Sequence, residues 1–526
     1  MKLSRPLIAI AVAGLALAGC SNPSTQGNGG SGGGGGHLTV ALAEEPDSLD
    51  PTVAATFVGR IVFANMCEKL FDVNSALHLV PQLAAALPTV SKDGKTYTIK
   101  LRSGVKFNDG TTFDAQAVKA TLDHYRTDPK SARASDLAVV REVKVVNPLT
   151  VQLDLSQPYA PLTSILSDRA GMILSPTQLK KLGNNFASDP VCVGPFSFVS
   201  RPSADQINLK KSQYYYDKSQ VKLDTVTFQV VTQPSVRAAN LRSGDIGVAD
   251  RLAPPDVQSL KGNSSVQLKS VTSLGYDGIS INVSNSNGAG KAPFQLVSTP
   301  LAQHPSLREA FALSLDRNTI NQVVNDGQYT PGCTPISPNN PLAPTITCPS
   351  QDVKKAQQLV ASSGVSTPVP VTLIVQAGNT ESTKLGEVIQ SMAKAAGFAV
   401  SVRPTEFTTA LTQAQGGSFD TFSVGWSGRL DPDQNIAPFW SPDSTLNYTG
   451  ANYPDVTKLL AQARSTTDVT QRKALYQQVC QKLLKYNNII YLDYPKYVLG
   501  LDSNVKGVAF YGDGLIRLKD ASITGN

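Results

Sequence analysis

The sequence predicts an α/β or α+β fold built from more than one domain. Segments with the two-residue periodicity of strands alternate with segments of helical periodicity, and no unit repeats along the chain. This mixing favours layered lobes of helices and sheets over a β-sandwich or a helical bundle. The length of 526 residues also exceeds what one hydrophobic core usually organises, so two or three domains are expected.

Local patterns place several elements along the chain. Asp114 is a favourable N-cap for a helix that extends to about Tyr125, and residues 147–150 form a turn between two strand-like segments. The predicted strands are residues 37–43, 96–101, 105–107, 143–146, 151–155, 371–375, 398–402 and 489–492. Further predicted helices are residues 307–315, 385–396 and 470–486.

The first twenty residues predict export and lipidation. Lys2 and Arg5 precede an apolar stretch at residues 7–18, as in a signal peptide. The segment Leu17-Ala18-Gly19-Cys20 matches the lipobox of bacterial lipoproteins, in which the chain is cut before the Cys and its thiol carries a diacylglycerol. We therefore expect residues 1–19 to be a signal peptide and Cys20 to anchor the chain on the extracytoplasmic side of the cell membrane, in a periplasm or cell-wall space. An ordinary signal peptide, with Cys20 present by chance, is the alternative.

A flexible tether is expected after Cys20. Half of residues 21–36 are glycine, and such a composition cannot bury enough apolar surface to fold. No Gly-Lys-Ser/Thr ending follows these glycines, so they do not form a phosphate-binding loop. Beyond the leader, no run of about eighteen apolar residues predicts a membrane-spanning helix.

The charge pattern and the histidines argue against several function classes. The net charge of +7 is dispersed without a basic run, so nucleic-acid binding is not expected. The four histidines, His37, His78, His124 and His304, are scattered, and neither a His-Glu-x-x-His nor a Gly-x-Ser-x-Gly motif occurs. We expect a binding protein without a cofactor or metal site rather than an enzyme, and a surface hydrolase is the remote alternative.

Five cysteines follow Cys20. Cys333 and Cys348 bracket a loop that contains four prolines, and we predict that they form a disulfide bond. For Cys67 and Cys192 the sequence leaves open a second bridge or two buried thiols. Cys480 is expected to be a buried thiol.

Five sequence blocks, in order, carry a resemblance to a known family. The blocks are VALAEEPDSLDP from Val40, LVPQLAAALPTVSKDGKTYTIKLRSGVKFNDGTTFDAQAVKATL from Leu79, VGPF from Val193, LREAFALSLDR from Leu307 and VGWSGRLDPD from Val424. Together they resemble the family 5 extracellular solute-binding proteins, which are the receptors of dipeptide, oligopeptide and nickel ABC importers. The ordered set spans nearly the whole chain after the tether.

The resemblance implies a two-lobed fold of the periplasmic-binding-protein type with three domains. Domain I would comprise residues 37–70, 190–275 and 497–526, domain II residues 71–189 and domain III residues 276–496. A monomeric receptor would capture a small solute between closing lobes and deliver it to the permease subunits of an importer. A di- or oligopeptide is the first expectation for the ligand, and a glycoside, a modified amino acid, an opine or a metal chelate is the alternative.

The resemblance also indicates where the ligand binds. In the peptide receptors of this family a Gly-Trp segment lies at the cleft, and Gly425 and Trp426 match it. A carboxylate three residues beyond the Trp holds the peptide ammonium in those receptors, but this chain has Arg429 there. A guanidinium favours a carboxylate or another oxygen-rich group.

Two interpretations of Arg429 therefore stay open. Arg429 contacts an anionic group of the ligand, with Asp431 or Asp433 taking the ammonium, or Arg429 pairs with one of these carboxylates and only fixes the loop. Family members also place tyrosines near the cleft. Tyr276, Tyr491 and Tyr494 are the corresponding candidates here.

Overall fold

A computed structural model describes residues 36–524. The predicted signal peptide, Cys20 and nearly all of the tether lie outside the described residues. Within that range, no helix combines the length and the apolar character needed to cross a membrane.

The strands are short and occur along the whole described chain. In chain order they are β1 His37–Leu42, β2 Phe71–Val73, β3 Leu79–Pro81, β4 Thr89–Val90, β5 Thr96–Lys100, β6 Val140–Asn147, β7 Thr150–Leu155, β8 Phe196–Ser203, β9 Gln206–Lys211, β10 Thr225–Val230, β11 Val248–Ala249, β12 Val266–Thr272, β13 Tyr276–Ile281, β14 Thr330–Pro331, β15 Val369–Gln376, β16 Phe398–Thr405, β17 Thr421–Trp426, β18 Ile489–Tyr494, β19 Lys496–Asp502, β20 Val505–Lys506, β21 Ala509–Phe510, β22 Ile516–Arg517 and β23 Ser522–Ile523.

Helices alternate with these strands. They are α1 Phe57–Met66, α2 Ala115–Thr127, α3 Leu162–Ile165, α4 Pro176–Leu182, α5 Pro234–Ser243, α6 Pro254–Leu260, α7 Pro300–Gln303, α8 Pro305–Leu313, α9 Arg317–Val324, α10 Val353–Ser362, α11 Thr380–Ala395, α12 Phe407–Gly416, α13 Asp433–Trp440, α14 Pro454–Ser465 and α15 Val469–Tyr486. Two 3-10 helices occupy Arg169–Gly171 and Gly183–Ser188.

Most of the elements predicted from local patterns are present. Asp114 accepts a hydrogen bond from the backbone N–H of Ala117 and caps α2 as expected. Residues 105–107 are the exception, because they form only an isolated bridge between Lys106 and Thr112 rather than a strand. The apolar side chains of Val105 and Phe107 are buried all the same, so the alternating pattern reported burial and not a paired strand.

Three large sheets organise the described chain. A seven-stranded sheet has the order β12-β19-β11-β1-β10-β9-β8, a four-stranded sheet the order β4-β5-β7-β6, and a six-stranded sheet the order β14-β18-β13-β17-β15-β16. Each sheet takes its strands from the segments expected for one domain, apart from Lys496 at the start of β19. The domain boundaries themselves stay a prediction.

The hydrophobic cores divide the molecule into two lobes. One continuous core joins the seven-stranded and four-stranded sheets, and we call this part, residues 36–275 and 496–524, the first lobe. The six-stranded sheet is covered on its two faces by separate apolar clusters, one with α8, α10 and α11 and the other with α13, α14 and α15. This part, residues 276–495, is the second lobe.

The chain passes between the lobes twice, and the two crossings touch. The N–H of Ser273 donates to the carbonyl of Pro495 at 2.8 Å. On either side of the crossings the lobes also meet, where the N–H of Ala160 donates to the carbonyl of Arg464 at 2.8 Å and Gln328 Nε2 donates to the carbonyl of Pro254 at 3.1 Å. These contacts place the lobes in a closed arrangement.

Candidate functional site

Asp168 lies where the lobes meet and forms ion pairs with both of them. Its Oδ1 atom is 3.1 Å from Arg60 Nε of the first lobe, and its Oδ2 atom is 3.1 Å from Arg429 Nε of the second lobe. Burial by itself raises the pKa of Asp168, but the charges of Arg60, Arg429 and Arg169 outweigh it and hold that pKa well below its ordinary value. The carboxylate is therefore ionised in the closed molecule.

Local structure fixes both first-lobe partners. Asp168 caps the 3-10 helix that follows it by accepting a hydrogen bond from the N–H of Arg169 at 2.8 Å. Arg60 is the one charged residue of α1, whose N-terminus is capped by Thr56. Arg60 is only 4% exposed, so its guanidinium is desolvated and depends on Asp168 for charge compensation.

Two further arginines lie beside this ion pair. Arg169 Nη1 and Arg133 Nη2 both donate to the carbonyl of Ala54, at 2.7 Å and 3.4 Å. Arg133 also pairs with the half-buried Asp136 at 3.3 Å. Burial and the neighbouring guanidiniums lower the pKa of Arg169 well below its ordinary value, which is the expected effect of crowding like charges.

We name Arg60, Arg133, Arg169 and Arg429 the arginine cluster. Asp136 and Asp168 are the carboxylates among them, so the cluster has excess positive charge. Three nitrogen atoms in it are buried without a hydrogen-bond acceptor among the described residues: Arg60 Nη1, Arg133 Nε and Arg169 Nε. Buried donors without acceptors are costly, and they indicate a site where an external acceptor binds.

A small cavity opens beside the ion pair. Its volume is about 20 Å³, enough for one or two water molecules. The lining residues come from both lobes and are mainly polar: Arg60, Val73, Ser164, Ser167, Asp168, Leu274, Arg429, Leu430, Gln434 and Asp513. The hydroxyl of Ser164 is buried there and has no hydrogen-bond partner within residues 36–524.

Asn435 on α13 shapes the loop that carries Arg429. Its Oδ1 atom accepts hydrogen bonds from Trp426 Nε1 at 3.0 Å and from the N–H of Arg429 at 2.7 Å. The guanidinium carbon of Arg429 lies 4.6 Å from the centroid of the Trp426 ring, a cation–π contact. Trp426 and Arg429 therefore act as one unit at the boundary between the lobes.

The structure corrects the carboxylate partner in the loop-fixing interpretation of Arg429, whose Nη1 atom does hold its own loop by donating to Ser427 Oγ at 3.2 Å and to the carbonyl of Gly428 at 2.7 Å. Asp431 forms its ion pair with Arg472, with its two oxygens 2.9 Å and 2.8 Å from Nη2. Asp433 pairs with Arg464 Nε at 2.8 Å. Both carboxylates are buried and compensated inside the second lobe, and the cation partner of neither is Arg429. Asp431 is therefore already compensated by Arg472, and its role as an ammonium ligand stays a prediction.

The predicted tyrosines are also placed inside the second lobe. The rings of Tyr276 and Tyr491 pack edge to face with centroids 4.8 Å apart, and the Tyr491 hydroxyl accepts a hydrogen bond from Trp440 Nε1 at 3.1 Å. Tyr494 shares a hydrogen bond with the Thr334 hydroxyl at 2.9 Å. All three tyrosines are buried in an aromatic cluster behind the sheet and none lines the cavity.

Gly425 lies on β17 opposite Asp277 of β13. It is exposed, and Trp426 beside it is half-buried. Gly425, Trp426 and Arg429 thus lie together at the edge of the second lobe, whereas Asp431 and the three tyrosines lie behind them.

Four of the five cysteines within residues 36–524 form two disulfide bonds. Cys333 is bonded to Cys348, as the proline-rich loop predicts. Cys67 is bonded to Cys192, which the sequence had left open, and this bond ties α1 to the strand region near β8. Cys480 is a buried free thiol.

Several residues of the site escaped the sequence analysis. Ser164, Asp168 and Gln434 occur in no recognisable motif, and they meet only because the lobes close. Arg60 is different, because a single arginine within the apolar segment FVGRIVFANM is itself a sign of a buried functional or structural charge. No group of three or more residues suited to hold a metal ion occurs within residues 36–524.

Two α/β lobes joined by two short crossings, with charged groups of both lobes meeting in a cavity between them, define a solute receptor that closes on its ligand. Residues 78–447 match the family described as "Bacterial extracellular solute-binding proteins, family 5 Middle". This match covers more than half of the chain, so the chain belongs to that family, whose members are the solute-binding receptors of ABC importers. The family and the two-lobed fold predicted from the sequence are confirmed.

Relatives and solved structures agree with this assignment. The glutathione-binding protein GsiB of Escherichia coli (strain K12) is 26% identical over 529 residues, which is 98% of each chain. Among solved structures, the oligopeptide-binding protein AppA of Bacillus subtilis in complex with a nonapeptide has a TM-score of 0.81 at 23% identity, over 94% of this chain and 99% of that one. NikA of Staphylococcus aureus in complex with Ni(L-His)2 has a TM-score of 0.79 at 19% identity, over 93% and 100%. These relatives are substrate-binding proteins and not enzymes.

Proposed function

We propose that this chain captures a peptide, or a solute of similar size, that carries a free carboxylate, and that it delivers this ligand to the permease of an ABC importer. The arginine cluster is the observation that carries the proposal. It has more guanidiniums than carboxylates, and three of its buried N–H groups lack an acceptor. A carboxylate from the ligand supplies both the missing charge and the missing acceptors.

The position of the cluster links ligand binding to closure. Arg60, Arg133 and Arg169 belong to the first lobe and Arg429 to the second, so an anion that touches all of them does so only when the lobes are closed. A ligand that makes more contacts in the closed state shifts the equilibrium toward that state. This is the property that a receptor needs if the permease is to distinguish loaded from empty molecules.

Peptide is proposed as the main ligand because of the relatives. GsiB is named for glutathione, a peptide, and AppA was solved with a nonapeptide. An opine or another carboxylate-bearing solute would fit the arginine cluster equally well, and NikA shows that the same fold also holds a metal chelate. The ligand class therefore has to be tested directly.

We further propose that the receptor acts as a lipid-anchored monomer on the extracytoplasmic side of the membrane. The support is the lipobox ending at Cys20 and the glycine-rich tether of residues 21–36. A tether of this composition would let the folded part move about 20–25 Å from the membrane surface. Such freedom suits a receptor that has to bind a solute and then dock on a permease.

Native mass spectrometry of protein purified without refolding tests the ligand class. We expect a retained small molecule with at least one carboxylate. Calorimetry then compares trialanine with its C-terminal amide, which lacks the carboxylate, and we expect the acid to bind at least about tenfold more tightly, as for a hydrogen bond to a charged group. Equal affinity for acid and amide, or a retained ligand without an anionic group, would contradict the proposal.

Arg169→Met provides the matching change on the protein side. It should weaken trialanine binding and remove the preference for the acid over the amide. Arg308→Met is the matched control, because Arg308 is equally buried and also donates to backbone carbonyls, those of Tyr486 and Leu301, but lies inside the second lobe. The control should lower thermal stability and leave the preference for the acid unchanged.

A further inference from the structure

Two aspartates lie side by side on the six-stranded sheet, next to the segment that carries Gly425 and Trp426. Asp277 on the central strand β13 is opposite Gly425 of β17 on one side and opposite Asp493 of β18 on the other. Residues directly opposite one another on antiparallel strands point to the same face of the sheet. The carboxylates of Asp277 and Asp493 therefore share one face.

Gly425 makes room for the first of these carboxylates. A Cβ atom at position 425 would lie 2.0 Å from Asp277 Oδ1, which no real structure permits. Gly425 does not have a positive φ angle, so its backbone conformation does not require glycine and the reason for glycine is space. Gly425 is exposed and Asp277 half-buried, so the Asp277 carboxylate lies beside an exposed stretch of backbone.

Neither carboxylate has a cation of its own. Across residues 36–524, no lysine or arginine nitrogen forms an ion pair with Asp277 or Asp493, in contrast to Asp168 and Asp431. Asp493 is 5% exposed, and its Oδ1 atom has no hydrogen-bond partner. Its Oδ2 atom accepts only a 3.4 Å hydrogen bond from Asn325. A buried carboxylate is normally paired with a cation or takes up a proton, so this pair is able to accept a cation from outside the described residues.

Within residues 36–524, the surroundings add no positive charge that is free to compensate the pair. Among the described residues, Tyr329 and Tyr497 lie within electrostatic reach of Asp277; Glu381 lies near Tyr329, and Arg60 and Arg251 lie near Tyr497. Arg251 is already paired with Asp250 at 3.1 Å and with Glu44 at 3.2 Å. Burial raises the pKa of Asp277 to about 6, and burial together with the charge of Asp277 raises the pKa of Asp493 well above its ordinary value.

We propose that Asp277 and Asp493 form a subsite for a primary ammonium group of the ligand, with Gly425 providing the access. The proposal rests on the proposed function, because it assigns a second contact to the same captured solute. A primary ammonium has three donors and one positive charge, which match two carboxylates that, within residues 36–524, have no cation and whose one hydrogen bond is the long one from Asn325.

The subsite lies next to the arginine cluster. Tyr497 faces Asp277 and packs against Phe57 with ring centroids 5.5 Å apart, and the guanidinium carbon of Arg60 lies 5.8 Å from the Phe57 centroid. One zwitterionic ligand therefore spans a cationic site at the arginines and an anionic site at the aspartates.

Calorimetry at pH 7.5 with Asp277→Asn and Asp493→Asn tests the subsite. Each change should weaken trialanine binding by at least about tenfold, as for a hydrogen bond to a charged group. N-acetyl-trialanine, which has no ammonium, should bind wild type weakly and should be unaffected by either change. A peptide with lysine in place of the first alanine and an acetylated N-terminus distinguishes a side-chain ammonium from the terminal one.

Asp420→Asn is the matched control. Asp420 precedes the other end of β17, about 16 Å away at the usual rise per residue. Its carboxylate is also desolvated with a raised pKa, and its Oδ1 atom also lacks a partner. If Asp277→Asn, Asp493→Asn and Asp420→Asn all leave trialanine affinity within twofold of wild type, the subsite does not exist.

A second probe separates failure of this inference from failure of the proposed function. If wild type binds neither trialanine nor its amide, the peptide proposal fails, and methylammonium chloride then tests the subsite alone. At constant ionic strength against potassium chloride, methylammonium should raise the Tm of wild type and of Asp420→Asn but not that of Asp277→Asn. An equal response of all three proteins would overturn the inference.

Discussion

Arg429 Nε lies 3.1 Å from Asp168 Oδ2, across the boundary between the two lobes. The second carboxylate oxygen is 3.1 Å from Arg60 Nε, so one aspartate joins a helix of the first lobe to a loop of the second. Burial and the neighbouring guanidiniums, opposed by Asp168, lower the pKa of Arg429 to about 10, which leaves it charged at neutral pH. An ion pair between groups of the two lobes therefore contributes to the closed arrangement of this receptor.

Asp168→Asn should destabilise the protein more than Arg429→Met does. The first change leaves the arginine cluster without its central carboxylate, and unpaired buried charges typically cost about 3–5 kcal/mol. The second change removes one of several like charges and leaves Asp168 paired with Arg60, so we expect a smaller loss. Urea unfolding of both variants measures the difference in free energy, and equal losses would show that the cluster is compensated in another way.

Arg429→Asp should favour the open state. The new carboxylate would face Asp168 across the lobe boundary, and two like charges at this distance repel each other. Small-angle X-ray scattering should show a larger radius of gyration for Arg429→Asp than for the neutral control Arg429→Met. A compact Arg429→Asp variant would mean that the contacts at Arg464 and Gln328 are enough to hold the lobes closed.

Glu68 should make stability depend on pH. It is 4% exposed, and burial raises its pKa to about 7 although the hydroxyls of Tyr215 and Tyr216 donate to it. Because this pKa is raised on folding, the contribution to stability is full below the ordinary pKa of 4.5 and is lost as the pH rises to about 7.

The measurable consequence is a changed pH profile in Glu68→Gln. A rise of this size in the pKa of Glu68 corresponds to a decrease of up to about 3 kcal/mol in the free energy of unfolding between pH 4.5 and 7. Denaturant unfolding at pH 5 and pH 8 should show that loss in wild type and a flatter profile in the variant. If both proteins lose the same stability over this range, another group is responsible.

The Cys67–Cys192 bond should stabilise the protein more than the Cys333–Cys348 bond. The cysteines are 125 residues apart in the first pair and 15 in the second. In the chain-entropy description, closing the longer loop raises the free energy of unfolding by about 5 kcal/mol and closing the shorter loop raises it by about 3 kcal/mol. The double variants Cys67→Ala with Cys192→Ala and Cys333→Ala with Cys348→Ala should lower the Tm in that order. The reverse order would contradict the entropic account.

Cys20→Ala should release the protein from the membrane. The change removes the thiol that the lipobox pattern marks for acylation, and a diacyl chain supplies membrane affinity of roughly 0.8 kcal/mol per buried CH₂ group. After cell fractionation, the Cys20→Ala variant should be found in the soluble fraction instead of the membrane fraction. Mass spectrometry should show that the acyl mass is missing. Retention of Cys20→Ala in the membrane fraction would mean that another contact anchors the chain.

Much of the fold followed from short-range patterns. Asp114 as an N-cap, the turn at residues 147–150 and the apolar strand at residues 371–375 are determined by neighbours in the sequence, and the structure confirms the corresponding elements. The strand predicted at residues 105–107 is absent, because alternating apolar residues indicate burial, and burial also occurs without strand pairing. The disulfide bond between Cys333 and Cys348 also joins residues that are close in sequence, and the structure contains this bond.

The site was only partly accessible from sequence. The Gly-Trp segment and the departure at Arg429 directed attention to a guanidinium that the structure places at the lobe boundary. The partners assigned to Arg429 were wrong, because nearness in sequence favoured Asp431 and Asp433. These two carboxylates are 2.8 Å from Arg472 and Arg464, arginines on helices that come later in the chain.

By itself the sequence determined the family, the alternation of helices and strands and the residue types available for binding, because these depend on local spacing and composition. Only the tertiary structure decided which charges are compensated within the described residues and which are not. Asp168 and Arg429 are 3.1 Å apart although 261 positions separate them, whereas no lysine or arginine within residues 36–524 forms an ion pair with Asp277. The physical reason is that a buried charge is neutralised by whichever groups the closed lobes bring within a few ångströms, and no local pattern encodes that choice.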